Sequence, residues 1–433
     1  MRCRAGVGVV LVGLVPGAVA GQMGGENTVR AADSAGPPPP ASTPPWELPP
    51  MRLARIAGPI VLDGNPSEDA WERLEPLPLI QHWPVFGGEM SRRTVIRVGY
   101  DDHDLYAAGW FYDDPELIRG NTLRRDGWEG DDSFDLIIDS YDDDETGLMF
   151  VTMPSGAILD QAIQNDAQPA GGSPPTNENW NTFWDAATTR TDEGWFAEVR
   201  IPLSSLGFEV MDGRAVMGLI ASRYISRENE KHIFPAIPPN WPMAAFKPSR
   251  ARSVQLEGVE ERRVLSLTPY VLGGVERIRR PETTPVAPPE AELSREMGAD
   301  LKVGLSSNLT LDLTANTDFA QAEADALQVN LDRFGLFLPE KRQFFQERAS
   351  IFEFDMGEGR LFHSRTIGIS QEGELRRILG GARLAGRAGP WDLGLLSMQV
   401  DADRSGPWEN DAVMRVRRSL STTDYAGFMM TSR

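Results

Sequence analysis

Alternating apolar and polar residues mark most of the chain as β-structure. Between Met51 and Glu261, short alternating segments recur and end in turn residues, as in TVIRVGYDD, DLYAAGWFYDD, SFDLIIDSYDDD, LMFVTMPSG, WDAATTRTDEG and WFAEVRIPL. Alternation bounded by turn residues is typical of paired strands, and this spacing predicts an antiparallel β-sandwich over residues 51–261. One helix is predicted in PSEDAWERL, because Pro66 and Ser67 precede a first turn rich in acidic residues.

Longer alternating segments follow residue 262. In DLKVGLSSNLTLDLTAN, leucine or valine at 301, 303, 305, 309, 311 and 313 alternates with polar residues or glycine. RILGGARLAGRAGPWDLGLLSMQVD, DAVMRVRRSL and DYAGFMMTSR have the same character. Strands of about ten residues that alternate in this way are the signature of outer-membrane β-barrels. The pattern predicts antiparallel strands of an incomplete barrel over residues 262–433, with a second soluble sandwich as the alternative.

The first 50 residues predict export followed by a tether. Arg2 and Arg4 precede an apolar run that ends at Leu14, and the small residues AVA follow at 18–20. A basic start, an apolar centre and a small-residue cleavage site indicate a secretory signal peptide, here residues 1–20. Residues 21–50 contain GPPPPASTPPWELPP, and proline at this density predicts a stiff, extended linker.

Charge and cysteine content narrow the choice of partners. The 433 residues include 43 basic and 63 acidic side chains, and a net charge of −20 argues against nucleic acid as a partner. The single cysteine, Cys3, lies in the signal peptide, so the mature chain would have no disulfides and no cysteine-based sites. Beyond the signal peptide no apolar run is long enough for a transmembrane helix, so membrane residence would require a β-barrel.

Acidic residues crowd the segment from Asp101 to Glu145, above all in DDSFDLIIDSYDDDETG. Carboxylate oxygens at this density can hold Ca²⁺, and Asp131 and Asp132 are the candidate ligands of a structural calcium ion. Solvated loop carboxylates are the alternative, because the spacing differs from that of an EF-hand loop. Paired carboxylates could also serve glycoside hydrolysis, but the sequence has no H-E-x-x-H, G-x-S-x-G or P-loop motif.

Aromatic residues in polar loops point to a different kind of site. Trp180 and Trp184 lie in NENWNTFWD, and Trp128 lies in RRDGWEGDD. Sugars present apolar C–H faces and hydroxyl groups, so a sugar site needs aromatic platforms beside amides and carboxylates. The candidate polar partners are Gln161, Gln164 and Asn165. Packing in the core is the alternative for each tryptophan, and it is the prediction for Trp71 and Trp195.

Four ordered motifs resemble the carbohydrate-binding module family 9-like domain. They are IVLDGNPSEDAWERLEPL, VIRVGYDDHDLYAAGWFYDD, GDDSFDLIID and GWFAEVRIPLSSLGF, and together they cover about Pro59 to Glu257. The resemblance implies a β-sandwich that binds sugar ends between two tryptophans and carries calcium. It places Trp180 in the region of one stacking ring and Gln161 or Gln164 in the region of an amide, and it matches no second ring.

The segment from Thr317 to Phe352 carries a second resemblance. LTANTDFAQAEADALQVNLDRFGLFLPEKRQFFQE, LFHSRTIGI and GGARLAGRAGPWDLGLL resemble uncharacterised bacterial proteins in which a family 9-like domain precedes a domain of unknown function interpreted as an outer-membrane barrel. Such relatives are longer, so the chain is expected to be a fragment or a truncated protein. LPEKRQFF predicts ion pairs among residues 340–342 above packed phenylalanines at 344 and 345; metal binding by the acidic residues at 318, 323 and 325 is the alternative.

These patterns support one leading hypothesis and two alternatives. The leading hypothesis is an exported, non-catalytic protein of the periplasm and outer membrane that captures polysaccharide or oligosaccharide with its sandwich. The first alternative is a glycoside hydrolase, or an accessory module of one, in polysaccharide catabolism. The second is a transport or assembly barrel whose sandwich recognises a protein or plugs the pore.

Overall fold

The chain folds into three β-sheets. The computed structural model describes residues 7–14, 43–168, 175–178, 180–260, 265–278, 290–306, 309–317, 340, 342–346, 348–352, 361–369, 376–402, 407–420 and 425–433. Neighbouring strands in these residues pair antiparallel, except in two short parallel pairs. The prediction of a mainly β chain built from antiparallel sheets is confirmed.

The largest sheet has ten strands. Its continuous path runs through β10 (Thr176–Asn177), β9 (Ile158–Ile163), β8 (Gly147–Thr152), β7 (Ser133–Asp139), β14 (Arg214–Ile225), β15 (Glu230–Phe234) and β4 (Ile80–Trp83). Off this path, β13 (Val210–Met211) and β16 (Arg252–Glu257) pair with β14, and β2 (Met51–Arg52) pairs with β16.

A five-stranded sheet packs on one face of the larger sheet and completes the sandwich. Its order is β11 (Asp185–Thr191), β12 (Gly194–Pro202), β6 (Asp104–Tyr112), β5 (Thr94–Tyr100) and β3 (Ala54–Arg55). The Phe111 ring of this sheet lies 4.3 Å from Trp195 and 5.2 Å from Phe134 of the larger sheet, centroid to centroid. Trp195 and Trp71 are fully buried, as predicted.

The other face of the ten-stranded sheet is also partly covered. Ile137, Ile220 and Ile233 pack there with Ile237 and Ala244 from the segment that follows β15. Because both faces are buried at this point, β7 has no exposed residue, and SFDLIID lacks the strict alternation of a half-exposed strand.

The third sheet has eight strands and is built mostly from residues after 264. Its order is β1 (Val7–Leu14), β23 (Tyr425–Ser432), β22 (Glu409–Ser419), β21 (Trp391–Val400), β20 (Ile378–Ala388), β19 (Leu309–Ala315), β18 (Glu290–Ser306) and β17 (Leu265–Ile278). The predicted strands are present, including the β20–β21 hairpin. Among the described residues the sheet is open, with β1 and β17 as edges, so the strands of the predicted barrel are observed without closure. The apolar run of the predicted signal peptide forms β1.

The two faces of this sheet differ sharply. Residues directly opposite each other in an antiparallel pair share a face, and the register therefore collects one apolar set. It comprises Leu265, Leu267, Val271, Met297, Leu301, Val303, Leu311, Leu313, Leu384, Leu395, Met414 and Phe428. Many of these side chains are exposed; Val271 is 83% exposed. We call this surface the apolar sheet face.

The opposite face of the eight-stranded sheet carries both charged and apolar side chains, and it is covered over β19 to β22. The fully buried Arg383 donates from Nη1 to Asp312 Oδ2 at 3.0 Å, and Thr314 donates to Asp300. Phenylalanines from the segment before residue 353 pack over this face with Leu396, Met398 and Val413. Polar pairs and apolar side chains are therefore buried together on this face.

Helices are short. The α-helices in the described residues are α1 (Asp69–Glu72), inside the predicted helical segment, and α2 (Gln343–Gln346). The 3-10 helices are Pro45–Glu47, Asn165–Ala167, Leu203–Ser205, Ser226–Glu228, Ala244–Phe246, Pro248–Arg250, Ala349–Phe352 and Ser364–Thr366. No helix in the described ranges has the length and apolar character needed to cross a membrane.

The segment from Thr317 to Phe352 is described only in part. Arg342 donates to the Glu340 carboxylate at 2.7 Å, and Phe344 and Phe345 are buried, which agrees with the ion pair and packing predicted there. Lys341 and the metal-binding alternative at Asp318, Glu323 and Asp325 lie outside the described residues.

An acidic loop of the sandwich contacts the eight-stranded sheet, and we call this contact the seam. Glu145, between β7 and β8, accepts a hydrogen bond from Arg417 Nη1 at 2.8 Å. Arg417 also donates from Nε to Asp392 at 2.8 Å, and the Arg348 guanidinium lies 3.8 Å from the Tyr141 ring centroid. These groups line a small cleft, so a charged contact joins the two halves of the chain.

Candidate functional site

Trp128 presents an exposed aromatic ring in a folded loop of the sandwich. Its loop joins β6 to β7 and turns about the buried Asp131 carboxylate, which accepts hydrogen bonds from the backbone amides of Asn121, Thr122 and Glu129. The Trp128 indole N–H donates to the Asp131 carbonyl at 3.3 Å. The ring is thereby held at one edge while 54% of the residue remains exposed.

Trp128 is supported by a second aromatic ring on the ten-stranded sheet. The ring centroids of Trp128 and Tyr224 are 6.2 Å apart with the planes inclined by 52°, an ordinary packing geometry for aromatic pairs. The Tyr224 hydroxyl donates to Asn229 Oδ1 at 3.0 Å. Burial raises the pKa of Tyr224, and the nearby Asp132 carboxylate raises it further, so the phenol stays protonated at neutral pH.

A polar cluster lies beside this aromatic pair on the same sheet face. Lys231 Nζ donates to Asp135 Oδ2 at 2.7 Å and to Ser222 Oγ at 3.3 Å. Ser222 and Ser133 also donate to the Asp135 carboxylate, at 2.9 and 2.6 Å. The Lys231 ammonium lies 5.8 Å from the Tyr224 ring centroid, so the cluster and the aromatic pair are continuous.

The strands explain how this face is assembled. Ser133 and Asp135 alternate on β7, Ser222 and Tyr224 alternate on β14, and the register places Ser222 opposite Asp135 and Tyr224 opposite Ser133. Lys231 on β15 stands opposite Tyr224. Because side chains on a strand point to alternate faces, all five residues lie on one face of the sheet. We call Trp128, Asp135, Ser222, Tyr224 and Lys231 the Trp128 site.

Two of the predicted stacking rings lie elsewhere. Trp184 is only 5% exposed and packs edge-on against Phe150, so its ring offers no free face to a ligand, and the stacking role predicted for it is wrong in this conformation. Trp180 is half-buried and packs against the same Phe150 at 6.2 Å. Both rings cover the core, because the chain after β10 turns inward over the edge of the sandwich.

The predicted polar partners do not face these rings. Gln161 is buried and stands opposite Met149, whereas Phe150, which touches both tryptophans, stands opposite Asp160. Gln161 therefore points to the other face of the sheet.

Gln164 and Asn165 belong to a turn at the end of β9. Asn165 has a positive φ of 51° and donates from its side chain to the Gln168 carbonyl at 3.2 Å. Its amide is used locally, and the structure does not bring it to Trp128, Trp180 or Trp184 as one site. A sugar-binding role for these side chains stays a prediction.

The two candidate calcium ligands organise loops. Burial alone raises the pKa of Asp131, but hydrogen bonds from Thr122, Asn121 and Glu129 outweigh it and lower the pKa, so the carboxylate is ionised. Asp132 accepts from the amides of Arg119 and Ser226, at 3.3 and 2.8 Å, and burial raises its pKa. In the part of the chain that the structure describes, no three His, Cys, Asp or Glu side chains are grouped to hold a metal ion.

Of the residues of the Trp128 site, the sequence predicts only Trp128 as a candidate binding residue. Ser222, Tyr224 and Lys231 lie in ASRYISRENEKHIF, which carries no recognisable motif. The available signal was the alternation of Ser222 and Tyr224, which places two polar groups on one face of a strand otherwise rich in apolar residues. Only the pairing with β7 and β15 shows that they meet Asp135 and Lys231.

The site has the chemistry of a ligand-binding surface. An exposed indole can stack on a flat apolar surface, and Lys231, whose side chain is 13% exposed, is the member of the polar cluster that reaches solvent, since Ser222 and Asp135 are buried. Asp135 is held by Lys231 and two serines, so its carboxylate serves in an ion pair. The protein is thus an antiparallel β-sandwich with an aromatic and polar surface site, joined to a second antiparallel sheet.

Residues 263–381 match a family described as a domain of unknown function, DUF5916, so the resemblance of this part to such a domain is confirmed. No match is found among curated proteins.

Solved structures similar to the chain include two of carbohydrate-binding modules of family 9 from Caldicellulosiruptor kristjanssonii. One, in complex with glucose, has a TM-score of 0.35 and 17% identity, with 49% of this chain and 98% of the module covered. The other, in complex with cellotriose, has a TM-score of 0.33 and 17% identity, with 49% of this chain and 96% of the module covered.

Proposed function

We propose that this chain is an exported, non-catalytic carbohydrate-binding protein whose sandwich captures oligosaccharide or polysaccharide at the outer membrane. The observation that carries the binding half of the proposal is the exposed Trp128 ring, fixed by Asp131 and backed by Tyr224. A sugar ring stacked on Trp128 would have the Lys231 ammonium nearby as a hydrogen-bond donor, held in place by Asp135 and Ser222.

Burial and charge support binding rather than catalysis at this site. Asp135 is buried and ion-paired with Lys231, so its carboxylate is not presented to a bound sugar. In the described residues no observation favours glycoside hydrolysis or transport over sugar capture.

The membrane half of the proposal is supported by the apolar sheet face. A sheet that buries Arg383 and Asp312 on its covered side and exposes Leu267 and Val271 on the other has the polarity of a lipid-facing barrel wall. In water such a surface would be costly, because a contiguous exposed apolar patch favours association.

Sugar binding is tested with the full chain, purified in detergent, and a panel of neutral and acidic oligosaccharides that includes glucose and cellotriose. We expect at least one sugar to bind and Trp128→Ala to weaken it by at least about tenfold, or ~1.4 kcal/mol. Leu123→Ala, an exposed apolar residue of the same loop, is the matched control and should leave affinity unchanged. Silence across the panel, or equal affinity in Trp128→Ala, would overturn the binding proposal.

Membrane residence is tested by fractionating cells that express the full chain with its first 20 residues. We expect the wild type in the urea-resistant outer-membrane fraction. Leu267→Arg should reduce that amount severalfold, because a cation on a lipid-facing strand costs about 2–4 kcal/mol at mid-membrane. Ser266→Arg, on the opposite face of the same strand, is the control. A wild-type chain found wholly in the periplasmic extract would reject this half alone.

A further inference from the structure

The row of residues that contains Tyr224 continues to an exposed aromatic ring at the sheet edge. Across β7, β14, β15 and β4 the register aligns Ser133, Tyr224, Lys231 and Trp83. A bulge between Lys231 and His232 brings Trp83 opposite Lys231, because β4 places one extra residue, His82, in this pairing. Trp83 therefore lies next to Lys231, at the β4 edge of the Trp128 site.

Trp83 has the exposure of a ligand platform. It is 46% exposed, and Val85 and Phe86 just after it are exposed too. Its neighbour His82 is buried and its Nδ1 is 2.8 Å from the Ile237 carbonyl oxygen, so the strand is fixed immediately before the exposed tryptophan. The backbone at Trp83 is thus fixed by its pairing with β15 and by the contact of the preceding residue, His82, with Ile237.

The two aromatic ends are too far apart for one sugar ring. Tyr224 and Trp83 are separated by two strand spacings, about 10 Å in all, and the Trp128 ring packs 6.2 Å from Tyr224. Between them lies Lys231, whose aliphatic stem and ammonium are bordered by the Tyr224 ring and by Phe246, 5.0 Å from Nζ. A ligand that touches both ends must cross Lys231.

The charge between the ends favours a neutral ligand. The Lys231 ammonium is balanced by Asp135 at 2.7 Å, and both side chains are nearly buried, so the surface between the aromatic ends lies over a pair with no net charge. An acidic sugar would gain no unpaired cation there, whereas a neutral sugar needs none.

We propose that Trp83 is a second aromatic subsite and that the ligand is a linear neutral oligosaccharide of at least two sugar units, laid across β14, β15 and β4 from Trp128 to Trp83. This inference rests on the proposed sugar-binding function and assigns the length and charge of the ligand. Trp83 would contribute to binding of longer chains only.

The test compares chain lengths on the full protein. Glucose and cellotriose, with xylose and xylotriose as a second series, are titrated against wild type, Trp83→Ala, Trp83→Phe and Trp128→Ala. We expect the wild type to bind a trimer at least about tenfold more tightly than its monomer. Trp83→Ala should lose most of that preference with monomer affinity within about twofold of wild type, and Trp83→Phe should retain it, whereas Trp128→Ala should weaken both ligands.

The outcomes separate the two proposals. If the wild type binds a sugar but Trp83→Ala weakens monomer and trimer equally, or neither, the second subsite is rejected while sugar binding stands. If the wild type binds neither series but binds another sugar of the broader panel, the same length comparison made with that sugar decides. If it binds no sugar, both proposals fall. Val85→Ala, exposed in the same loop, is the matched control, and unchanged thermal unfolding of each variant shows that the fold is intact.

Discussion

The sandwich and the eight-stranded sheet each bury an arginine–aspartate pair, and they differ in whether an apolar face is left exposed. Between the sheets of the sandwich, Phe111, Phe134 and Trp195 fill an apolar core, and the fully buried Arg223, 5.5 Å from the Phe111 ring, pairs there with Asp113 at 3.0 Å. In the eight-stranded sheet the covered face holds Arg383 paired with Asp312, while the exposed face is lined with leucine, valine and methionine. The two regions thus have the same β-alternation, but the main apolar row is covered in the first and exposed in the second.

This difference shows what alternation alone can specify. Period-two patterning predicts that a segment is a strand with two unlike faces, but it does not say which face meets solvent. In the sandwich the apolar side is inside because a second sheet covers it. In the eight-stranded sheet the folded segment around α2 covers the face that carries Arg383, and the face that carries Leu267 and Val271 stays exposed, so an apolar row does not by itself identify the buried face.

The largest expected difference comes from truncating a buried side chain in the sandwich and an exposed side chain in the eight-stranded sheet. Trp195→Ala should destabilise the chain by about 3–5 kcal/mol, because it empties a fully buried site. Val271→Ala on the apolar sheet face should cost less than about 0.5 kcal/mol, since little packing is lost at an exposed residue. Urea unfolding followed by near-ultraviolet circular dichroism measures both; a large cost for Val271→Ala would mean that this face is buried against protein.

A medium effect is expected at the seam, where the regions meet. Glu145→Arg and Arg417→Glu should each weaken the contact, and the double exchange should recover about 1–2 kcal/mol of coupling, because the pair is partly buried and charge-assisted. Thermal unfolding of the four proteins at low and high salt gives the coupling energy. Arg418→Glu, the neighbouring strand position on the opposite face, is the control; additive single effects would contradict an energetic seam.

The smallest effect is a pH dependence in the acidic loop of the seam. Burial and the neighbouring charges of Asp142 and Asp143 together raise the pKa of Asp144 to about 6. The folded state therefore holds this proton more tightly than the unfolded chain, so the contribution to stability is present below about pH 4 and is lost as pH rises through 6.

Asp144→Asn should remove this loss of stability at higher pH. Asn tolerates the positive φ of 59° at this position, so we expect a higher midpoint of thermal unfolding than wild type at pH 7.5 and an equal midpoint at pH 4. Asp144 is exposed to water, which screens part of the repulsion, so the gain should be below about 1 kcal/mol. Asp192→Asn on an exposed turn is the control, and a gain that is the same at both pH values would argue against titration of Asp144.

The fold was more predictable than the site. The β5–β6 pair, the β20–β21 hairpin and the buried Trp71 and Trp195 follow from local patterning and turn residues. Trp184 could not be separated from a surface tryptophan in this way, because its polar neighbours Asn181 and Asp185 are exposed while its own ring turns into the core.

The site depends on contacts between residues distant in sequence. Asp135 and Lys231 are 96 positions apart and meet only through β14, which pairs with both of their strands. Asp131 looked like a metal ligand because it is acidic and lies among acids. Its role as an acceptor for three backbone amides depends on the path of the loop, which composition does not encode.

The bulge in β4 has a consequence for how such a surface can change over generations. In a regular ladder His82 would stand opposite Lys231 and Trp83 would point to the other face of the sheet. One additional residue therefore decides whether an indole flanks Lys231. An insertion or deletion of one residue in this edge strand can therefore change which aromatic side chain is displayed beside Lys231. Such a change leaves the interior of the sandwich as it is.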